Sequence, residues 1–482
     1  MLTPPMIVRL AVLGAALAAP ALAQTPETHR YWANWRGPLQ TGVAPEANPP
    51  LRWSETENVR WKTAIPGSGH SAPVIWKDRV YLLTAVPVDA NPPAGAFQPS
   101  DAPGVDALIQ DAPAPERRRP QGPGSAPGRG ERGERPGRGG ERGGLNKPNA
   151  RMRMVVMALD RATGKVVWEK TVRETAPHER LHQDASNASA SPVVDGEHIF
   201  AYFGSHGLYA LNLNGELVWE LDLGDMRTRN EFGEGASPAL HGDTLVVNWD
   251  HEGDDFIVAL DKKTGKERWR AARDEGTSWF TPLIAEVDGK PQVITGGQNR
   301  CIAYDLATGK EIWSAPGLTA NVIPTPIYSD GVAYLISGFR GNVARAIKLS
   351  GAEGKLDDSP AILWTYDKDT PYVPSAMLYD NALYFLDNNR PVLTCLDART
   401  GKPHYGPQRL EGLNGVYASI VGAAHRVYVV GRNGATMVIK LGPTFERLAL
   451  NELEEPINAS PAIVDDEIYL RGSKSLYCLS EP

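Results

Sequence analysis

The sequence predicts an all-β protein, an eight-bladed β-propeller whose blades each contain four antiparallel strands. Three observations lead to this prediction. One turn motif recurs along the chain, eight strand starts follow one another at a regular spacing, and the strand that the last repeat lacks is present near the N-terminus. Such a period is typical of propellers, in which each repeat forms one four-stranded sheet.

The recurring motif consists of an apolar strand end, a glycine-containing turn, and a second strand with tryptophan near its end. Glycine suits this turn because it adopts positive φ without steric strain. The fifth copy is degraded and lacks the tryptophan. The five copies are Ala158–Trp168, Ala210–Trp219, Ala259–Trp269, Ala303–Trp313 and Cys395–His404.

Eight strand starts accompany these motifs, and many of them contain a Ser-Pro or Thr-Pro pair. Proline as the first residue of a strand removes no ladder hydrogen bond. From Ser191 to Ser460 the successive starts lie 42 to 49 residues apart, which predicts one blade for each start. The starts are Ser71-Ala-Pro73, Ser191-Pro192, Ser237-Pro238, Thr281-Pro282, Thr325-Pro326, Pro374-Ser375, Ala418-Ser419 and Ser460-Pro461.

The two ends of the chain predict a closed ring. The last repeat stops near Tyr477 without its outer strand, and a matching strand at about 57–65 contains Trp61. Pairing this strand with the last blade would close the ring and remove its free edge, whereas an open solenoid is the alternative. We interpret the recurring tryptophans as residues that dock neighbouring blades. They are Trp61, Trp168, Trp219, Trp269, Trp313 and Trp364.

Composition and charge exclude several classes of protein. With 41% hydrophobic residues in 482, the chain has enough apolar material for a large core, which rules out wholesale disorder. The formal net charge of -7 argues against a nucleic-acid binder. Three cysteines are too few for a disulfide scaffold or a cysteine-rich metal site.

The first residues resemble a cleaved leader. Arg9 precedes a short apolar run that ends in Ala-Leu-Ala, so we expect a signal peptide over 1–23 with cleavage after Ala23, and a periplasmic or secreted protein. No cysteine follows that site and no later stretch is apolar enough to cross a bilayer, so neither a lipid anchor nor a transmembrane segment is expected.

The remaining chain divides into an N-terminal arm at 24–50 and the propeller at 51–482. Residues 89–150 interrupt the first blade with a Pro-, Gly- and Arg-rich segment that has no apolar periodicity, and we expect this insertion to be disordered. Its central part, 116–144, has a net charge of +4. An anionic envelope component or the acidic propeller itself is a more reasonable target for it than nucleic acid, and a solvated loop without a partner is the alternative.

The repeated Ala-x-Asp-x-x-Thr-Gly-x-x-x-Trp unit resembles the pyrroloquinoline-quinone (PQQ) repeat over roughly residues 52 to 480. Proteins with this repeat include eight-bladed quinoprotein alcohol dehydrogenases and the propeller lipoprotein of the outer-membrane β-barrel assembly machine. The opening Tyr31–Pro38 is similar to that of exported PQQ-like proteins. The resemblance implies the propeller fold, but it does not choose between an enzyme and a binding protein.

The sequence departs from both kinds of relative. Many quinoprotein alcohol dehydrogenases have two adjacent cysteines over the quinone, whereas Cys301, Cys395 and Cys478 are far apart here. We interpret all three as buried packing residues. The assembly lipoprotein has a lipidated N-terminal cysteine, which is not present here.

Loops of a four-stranded blade alternate between two faces. The Thr-Gly turns lie on one face, and the second-to-third loops and the blade-to-blade loops lie on the other, which we call the loop-rich face. Its guanidinium and amide groups would suit an anionic or polyhydroxylated ligand, and an ordinary polar rim is the alternative. The candidate residues are His178, Glu179, His182, Gln298, Arg300, Arg340, Asn389, Arg390, Arg432, Arg471 and Lys474.

Two segments of this face contain residues that could bind a metal ion. His178-Glu-x-x-His182 matches a zinc-protease motif, but that chemistry requires a helix, and Pro177 with flanking strand signals disfavours one. Asp250, Glu252 and Asp254 are candidate calcium ligands, although the order of carboxylates in a calcium loop is missing. We therefore interpret the histidine segment as an ordinary polar loop, with adventitious or structural metal binding as the alternative. We interpret the carboxylate segment as a solvated hairpin loop, with calcium binding as the alternative.

Two functions follow from these observations. The first is a non-catalytic exported propeller that binds an envelope protein or another envelope component through the loop-rich face, with no cofactor. The alternative is a PQQ- and calcium-dependent quinoprotein dehydrogenase that oxidises an alcohol or sugar, which the family resemblance implies.

Overall fold

The structure is a computed structural model that describes residues 30–88 and 150–482. The expected signal peptide at 1–23 and the expected disorder of the insertion at 89–150, apart from its last residue, concern residues outside these ranges. The described chain is almost entirely β, with single 3-10 turns at Gly204–His206 and Arg229–Glu231. No helix in the two described ranges is long and apolar enough to cross a bilayer.

Eight antiparallel sheets follow one another along the chain, and each is one blade of the predicted propeller. Blades 1 to 4 consist in order of Val74–Trp76, Arg79–Pro87, Met152–Asp160, Val166–Thr175; Val193–Val194, His198–Tyr202, Leu208–Asn212, Leu217–Leu221; Ala239–His241, Thr244–Trp249, Phe256–Asp261, Glu267–Ala272; and Leu283–Val287, Lys290–Thr295, Arg300–Asp305, Glu311–Pro316. Blades 5 to 8 consist of Ile327–Ser329, Val332–Ser337, Val343–Lys348, Ile362–Tyr366; Met377–Tyr379, Ala382–Leu386, Val392–Asp397, Pro403–Arg409; Val421–Ala423, Arg426–Val430, Ala435–Lys440, Arg447–Glu452; and Ala462–Val464, Glu467–Arg471, Ser475–Leu479, Val59–Ala64. Two blades gain a fifth, parallel strand, Gly354–Lys355 in blade 4 and Val43–Ala44 in blade 7.

The ring closes as the sequence predicts. Val59–Ala64 pairs antiparallel with Ser475–Leu479, so that Lys62 lies opposite Tyr477. The first strand of the propeller is therefore the outer strand of blade 8, and this pairing removes the free edge of that blade.

The apolar residues of the inner three strands lie between neighbouring sheets and form the core. The middle strands of each blade are almost completely buried, whereas the outer strands alternate between exposed and half-buried positions. This pattern is expected where sheets stack face to face around an axis and only the outer strand borders solvent.

The motif tryptophans lie where blades meet. Trp61, for example, donates its indole N–H to the carbonyl of Arg161 in the turn of blade 1, at 2.8 Å. A Cβ on Gly164 of that turn would lie 2.5 Å from the Trp61 ring, so glycine is required there by contact as well as by its φ of +70°. The same bond to the next blade is made by Trp168, Trp219, Trp269 and Trp364.

Trp313 of blade 4 is the exception. Its indole N–H donates within its own blade, to Gln292 Oε1 at 3.3 Å. The next blade has no Thr-Gly turn at this place, because its third and fourth strands are joined by a longer connection. That connection contributes Gly354–Lys355, which pairs with the strand of Trp313.

The N-terminal arm crosses the ring. Near its start, the carbonyl of Trp32 accepts the backbone N–H of Ile75 in blade 1 at 2.9 Å. Towards its end, the carbonyl of Thr41 accepts the backbone N–H of Leu378 in blade 6 at 3.2 Å, and Val43–Ala44 pairs with blade 7. The arm therefore spans the central axis from blades 1 and 2 to blades 6 and 7.

Candidate functional site

A cavity of about 220 Å³ lies on the axis, and the repeat itself builds its wall. The eight strand starts align at Ala72 of blade 1 and at the equivalent residue of every other blade. In all eight blades, the residue two positions before this aligned residue lines the cavity. The same backbone position thus occurs eight times around the axis. The side chain at that position determines the chemistry of the cavity wall in its blade. The eight residues are His70, Ser189, Gly235, Trp279, Ile323, Val373, Tyr417 and Asn458.

The eight positions divide into two contrasting sectors. Blades 4 to 6 contribute Trp279, Ile323 and Val373, which we call the apolar arc. Blades 7, 8 and 1 contribute Tyr417, Asn458 and His70, which we call the polar arc. Blades 2 and 3 separate the arcs with a serine and a glycine.

A ring of side-chain hydroxyls lies below the two arcs, at the strand starts. The backbone N–H of one strand start donates to the hydroxyl oxygen of the next blade's strand start at 2.9 to 3.1 Å. The ring is interrupted at Ala72, which has no hydroxyl, and at Thr325, whose Oγ1 has no partner among the described residues. The accepting residues are Ser191, Ser237, Thr281, Ser375, Ser419 and Ser460.

The N-terminal arm lies beneath this ring and contributes Trp35 to the cavity lining. The neighbouring Arg36 is almost fully buried and donates to the backbone carbonyls of Ala376 in blade 6 and Ile420 just before blade 7. Burial lowers the pKa of Arg36 to about 9. The arm is thus fixed to the inner strands at the place where its indole reaches the axis.

An ion pair supports the polar arc. Arg432 donates to Asp184 through Nη2 and to Asn458 Oδ1 through Nε, the latter at 3.1 Å. The guanidinium also lies over the Tyr417 ring, 4.2 Å from its centroid, and the Tyr417 hydroxyl donates to Asp184 at 3.2 Å. The four side chains form one network, so the charge of Arg432 is neutralised within the protein.

His182 adjoins this network and contains a buried, unsatisfied group. Its Nδ1 accepts the backbone N–H of Asp184 at 3.1 Å, so the neutral ring carries its proton on Nε2. That Nε2 is buried and has no hydrogen-bond partner among the described residues. Burial lowers the pKa of His182, which keeps the ring neutral near neutral pH.

His70 is the second histidine of the cavity. Burial, reinforced by the nearby positive charge of Arg471, lowers its pKa to about 4. His70 is therefore uncharged at neutral pH, and the polar arc contains hydrogen-bonding groups without a free charge.

Glu234 lies between the main cavity and a smaller chamber of about 40 Å³. Its two carboxyl oxygens accept the backbone N–H and the hydroxyl of Ser205, each at 2.6 Å. Burial nevertheless raises its pKa to about 7. A Cβ on Gly204 would lie 1.4 Å from Glu234 Oε2, so only glycine leaves room for this carboxyl group.

The segment with the zinc-protease pattern is an irregular loop and not a helix. His178 Nε2 is bonded to the Met226 carbonyl at 2.7 Å, and the Glu179 carboxylate accepts the Thr228 backbone N–H and hydroxyl. Both residues line the small chamber, whereas His182 lines the main cavity. The structure therefore does not bring the two histidines to one metal position.

The calcium candidates are also separated. Asp250 accepts from Arg273 Nε at 2.7 Å and Nη2 at 3.2 Å, and both side chains are fully buried. Glu252 accepts the backbone N–H and hydroxyl of Thr277, and Asp254 is exposed. Across the described parts of the chain, no three His, Cys, Asp or Glu side chains are grouped to hold a metal ion.

The remaining candidates of the loop-rich face lie outside the cavity. Arg300 and Arg390 pair with Glu311 and Asp387. Arg471 is buried and donates to two backbone carbonyls, which joins blade 8 to blade 1. Arg300 begins the third strand of blade 4 and does not line the cavity. The candidates on loops that do not line the cavity are Gln298, Arg340, Asn389, Arg390 and Lys474.

The three cysteines are buried free thiols. Burial raises the pKa of Cys301 to about 11 and those of Cys395 and Cys478 to about 12. They lie in inner strands of different blades and pack in the core, where a thiol is unreactive.

Of the residues that line the cavity, the sequence predicted only His182 as a site residue. Arg432 was also predicted, and it supports the lining through Asp184 and Asn458. A signal for the others was available, because eight of them occupy one register position relative to the strand starts. Trp35 and Asp184 had no such signal, since they belong to the arm and to a long connection between blades 1 and 2.

The chain is similar to known proteins in sequence and in fold. A family model described as outer membrane protein assembly factor BamB matches residues 149–278 and 253–481. No curated protein matches the sequence. The crystal structure of BamB from Moraxella catarrhalis is 14% identical, with a TM-score of 0.48 over 68% of this chain and 93% of that chain. Quinohemoprotein alcohol dehydrogenase ADHIIG from Pseudomonas putida HK5 is 11% identical, with a TM-score of 0.55 over 94% of this chain and 82% of that chain. Identities this low show the fold alone.

Proposed function

The chain belongs to the PQQ-like β-propeller family whose model is described as outer membrane protein assembly factor BamB, and on that premise we propose that it is a non-catalytic binding protein of the cell envelope. In this proposal it recognises a protein partner through the loop-rich face. The family description supports an envelope protein as the partner, and the expected signal peptide supports export.

The observation that carries this proposal is the pairing of charges on the loop-rich face. Asp250 is held by Arg273, Asp184 by Arg432, and Glu252 by Thr277 and Arg229. A catalytic acid, base or metal ligand needs a lone pair or proton that the substrate can reach. Carboxylates that are already bonded to the protein's own donors favour a rigid platform for binding over a reaction centre.

The alternative of a quinoprotein dehydrogenase requires calcium beside the quinone. The carboxylates considered for that ion do not fit it, because both oxygens of Asp250 are bonded to Arg273 and Asp254 is exposed on the loop. The proposal therefore includes no step that uses PQQ or calcium.

A site-specific crosslinking experiment in the native host tests the proposal. A photoreactive amino acid is introduced at Arg340 or Arg390, which are exposed on the loop-rich face, and at Lys263 or Lys402 in exposed Thr-Gly turns as matched controls. We expect the first pair to capture a defined envelope protein and the second pair to capture little of it. Capture only from the Thr-Gly turns, or equal capture from both faces, would contradict the proposal.

A further inference from the structure

Most of the exposed large apolar side chains of the described ranges lie together on the outer rim. Val166 and Val167 begin the outer strand of blade 1, and Leu217 and Val218 begin that of blade 2. Each is 44–46% exposed, and only two other large apolar side chains in these ranges are exposed. Trp168 donates to the turn that precedes Leu217, which brings the two pairs to one junction between blades. We call these four residues the apolar rim, and a concentration of this kind marks an interaction surface.

A β-bulge explains why both residues of each pair face solvent. Val166 and Trp168 pair with consecutive residues of the third strand, so Val167 is the extra residue in blade 1. Val218 is the extra residue of blade 2 in the same way. Successive side chains of a regular strand point to opposite faces, whereas a bulge re-aims one of them. The bulge therefore exposes two consecutive side chains at this point of the rim.

The same bulge has different chemistry in other blades. Blade 3 has the charged residues Glu267 and Arg268 there. Leu363 of blade 5 is exposed, but the corresponding pairs of its neighbours contain Glu311 in blade 4 and His404 in blade 6. Among the eight blades as described, only blades 1 and 2 place two apolar pairs side by side.

The outer strand of blade 1 also has the longest open edge of the described propeller. Val166–Thr175 has ten residues, whereas the other outer strands have five to seven. No described strand pairs with its outer side. An edge strand offers unpaired backbone N–H and C=O groups to another segment of chain.

Blade 4 shows that this edge of a blade accepts a further strand. Trp313 is the counterpart of Trp168, and it pairs with Gly354 while Ser314 pairs with Lys355. The added strand of blade 4 comes from the connection in blade 5. In blade 1, no described residue fills the equivalent place.

The size and charge of this surface favour a short segment over a second copy of the chain. The four side chains of the apolar rim expose a few hundred Å², whereas a stable dimer buries roughly 800 Å² on each partner. The charged residues of the blade 1 strand sum to zero, so no net charge is required of the occupant. They are Glu169, Lys170, Arg173 and Glu174.

We propose that the outer edge of blade 1 binds an extended, uncharged segment of a partner protein, which adds to the sheet as a fifth strand. Its backbone would pair with the strand from Trp168 onwards, and its apolar side chains would pack on the apolar rim. This surface follows the Thr-Gly turns and is separate from the loop-rich face, so the inference does not depend on the proposed function.

A phage-displayed library of random ten-residue peptides, matched in length to the blade 1 strand, is the probe for the purified chain. We expect it to yield peptides with alternating apolar residues. The best of them, synthesised and labelled, should bind a Val167→Glu, Val218→Glu double variant at least about 10-fold more weakly, because the added strand would desolvate both carboxylates.

Leu363→Glu is the matched control, since it makes the same change at the same bulge position of blade 5. It should leave the affinity unchanged. All variants are first shown to be folded by circular dichroism. Failure to select any peptide, or equal affinities of the double variant and Leu363→Glu, overturns the proposal.

Backbone methylation tests whether the peptide adds as a strand. Only every second residue of an added strand points its N–H to the neighbouring strand. Two versions of the best peptide are therefore N-methylated, one at the odd and one at the even residues. We expect one version to lose binding and the other to retain it, and equal affinities of the two versions would overturn strand addition.

Two measurements distinguish the other possible occupants of this edge. Analytical ultracentrifugation of the unmodified chain and of Val167→Glu tests for a second copy. Peptide binding is also compared between the full chain and a variant that lacks residues 92–148. A dimer that Val167→Glu abolishes, or peptide binding by the shortened variant alone, would assign the edge to this chain's own sequence and overturn the proposal.

Discussion

The apolar and polar arcs occupy the same register position in different blades, yet they present opposite chemistry to one cavity. Trp279, Ile323 and Val373 form one side, and Tyr417, Asn458 and His70 form the other. The repeated backbone therefore fixes where a side chain lies, whereas the residue at that position varies between blades.

Each side also has an arginine–aspartate pair, and the two pairs differ in burial. Arg273 and Asp250, near the apolar arc, have no solvent exposure. Arg432 and Asp184, which contact the polar arc, retain 25% and 10% side-chain exposure. The first pair belongs to the packed interior, and the second borders the space that a ligand would enter.

The largest expected difference between the two sides concerns these pairs. Asp250→Ala leaves Arg273 buried without a counter-charge, so we expect the free energy of unfolding to fall by about 3–5 kcal/mol. Asp184→Ala leaves Arg432 with access to water, so we expect the free energy of unfolding to fall by about 2 kcal/mol or less. Chemical denaturation measures both.

The double variant Asp250→Leu with Arg273→Met is the control for this comparison. It removes both charges, so it should be more stable than Asp250→Ala. A larger loss from Asp184→Ala than from Asp250→Ala would contradict the distinction between the two pairs.

A smaller effect is expected from the pH dependence of two cavity residues. Because the folded-state pKa of Glu234 is raised to about 7, its contribution to stability is complete below about pH 4.5 and is lost as pH rises through 7. Glu234→Gln removes this loss. The melting temperature of the variant should therefore rise relative to that of the unmodified protein as pH increases from 4.5 to 8.

The contribution of His70, in the polar arc, to stability depends on pH in the opposite direction. Its folded-state pKa is lowered to about 4, so its contribution is present above about pH 6.5 and is lost as pH falls through 4. His70→Gln should therefore gain relative stability towards acid. Thermal melts of both variants between pH 4 and 8 test the pair, and parallel curves for the two variants would be inconsistent with these shifts.

The smallest expected effect concerns the gap in the hydroxyl ring. Ala72→Ser would offer the missing acceptor to the backbone N–H of Ser460, and we expect the free energy of unfolding to rise by about 1 kcal/mol or less. Ser419→Ala removes an existing acceptor, so it should lower the free energy of unfolding by a similar amount. If Ala72→Ser is as destabilising as Ser419→Ala in denaturant titrations, the ring does not extend to blade 1.

The fold was predictable because its signals are local and repeated. The Thr-Gly turns, the strand starts and the unmatched strand around Trp61 each follow from neighbouring residues, and the ring closure follows from the count. The irregular blade 5 connection was not predicted, since its extra strand Gly354–Lys355 depends on pairing with blade 4.

The cavity was harder to predict because it combines two kinds of residue. Its wall repeats with the blades, so alignment of the starts would have identified Tyr417 and Asn458. Its floor and its ion pair come from segments outside the repeat, and Arg36 contacts Ile420 across 384 positions of sequence. Only the three-dimensional arrangement brings such residues together.

The path of the N-terminal arm has a consequence for the order in which the chain folds. Val43 pairs next to Gly422, and Val59–Ala64 pairs with Ser475–Leu479. The first strands of the propeller therefore find their partners only when nearly all of the polypeptide is available. Contacts so distant in sequence slow folding and leave strand edges open in the meantime. The edge of the last blade stays open until Val59–Ala64 has paired with Ser475–Leu479.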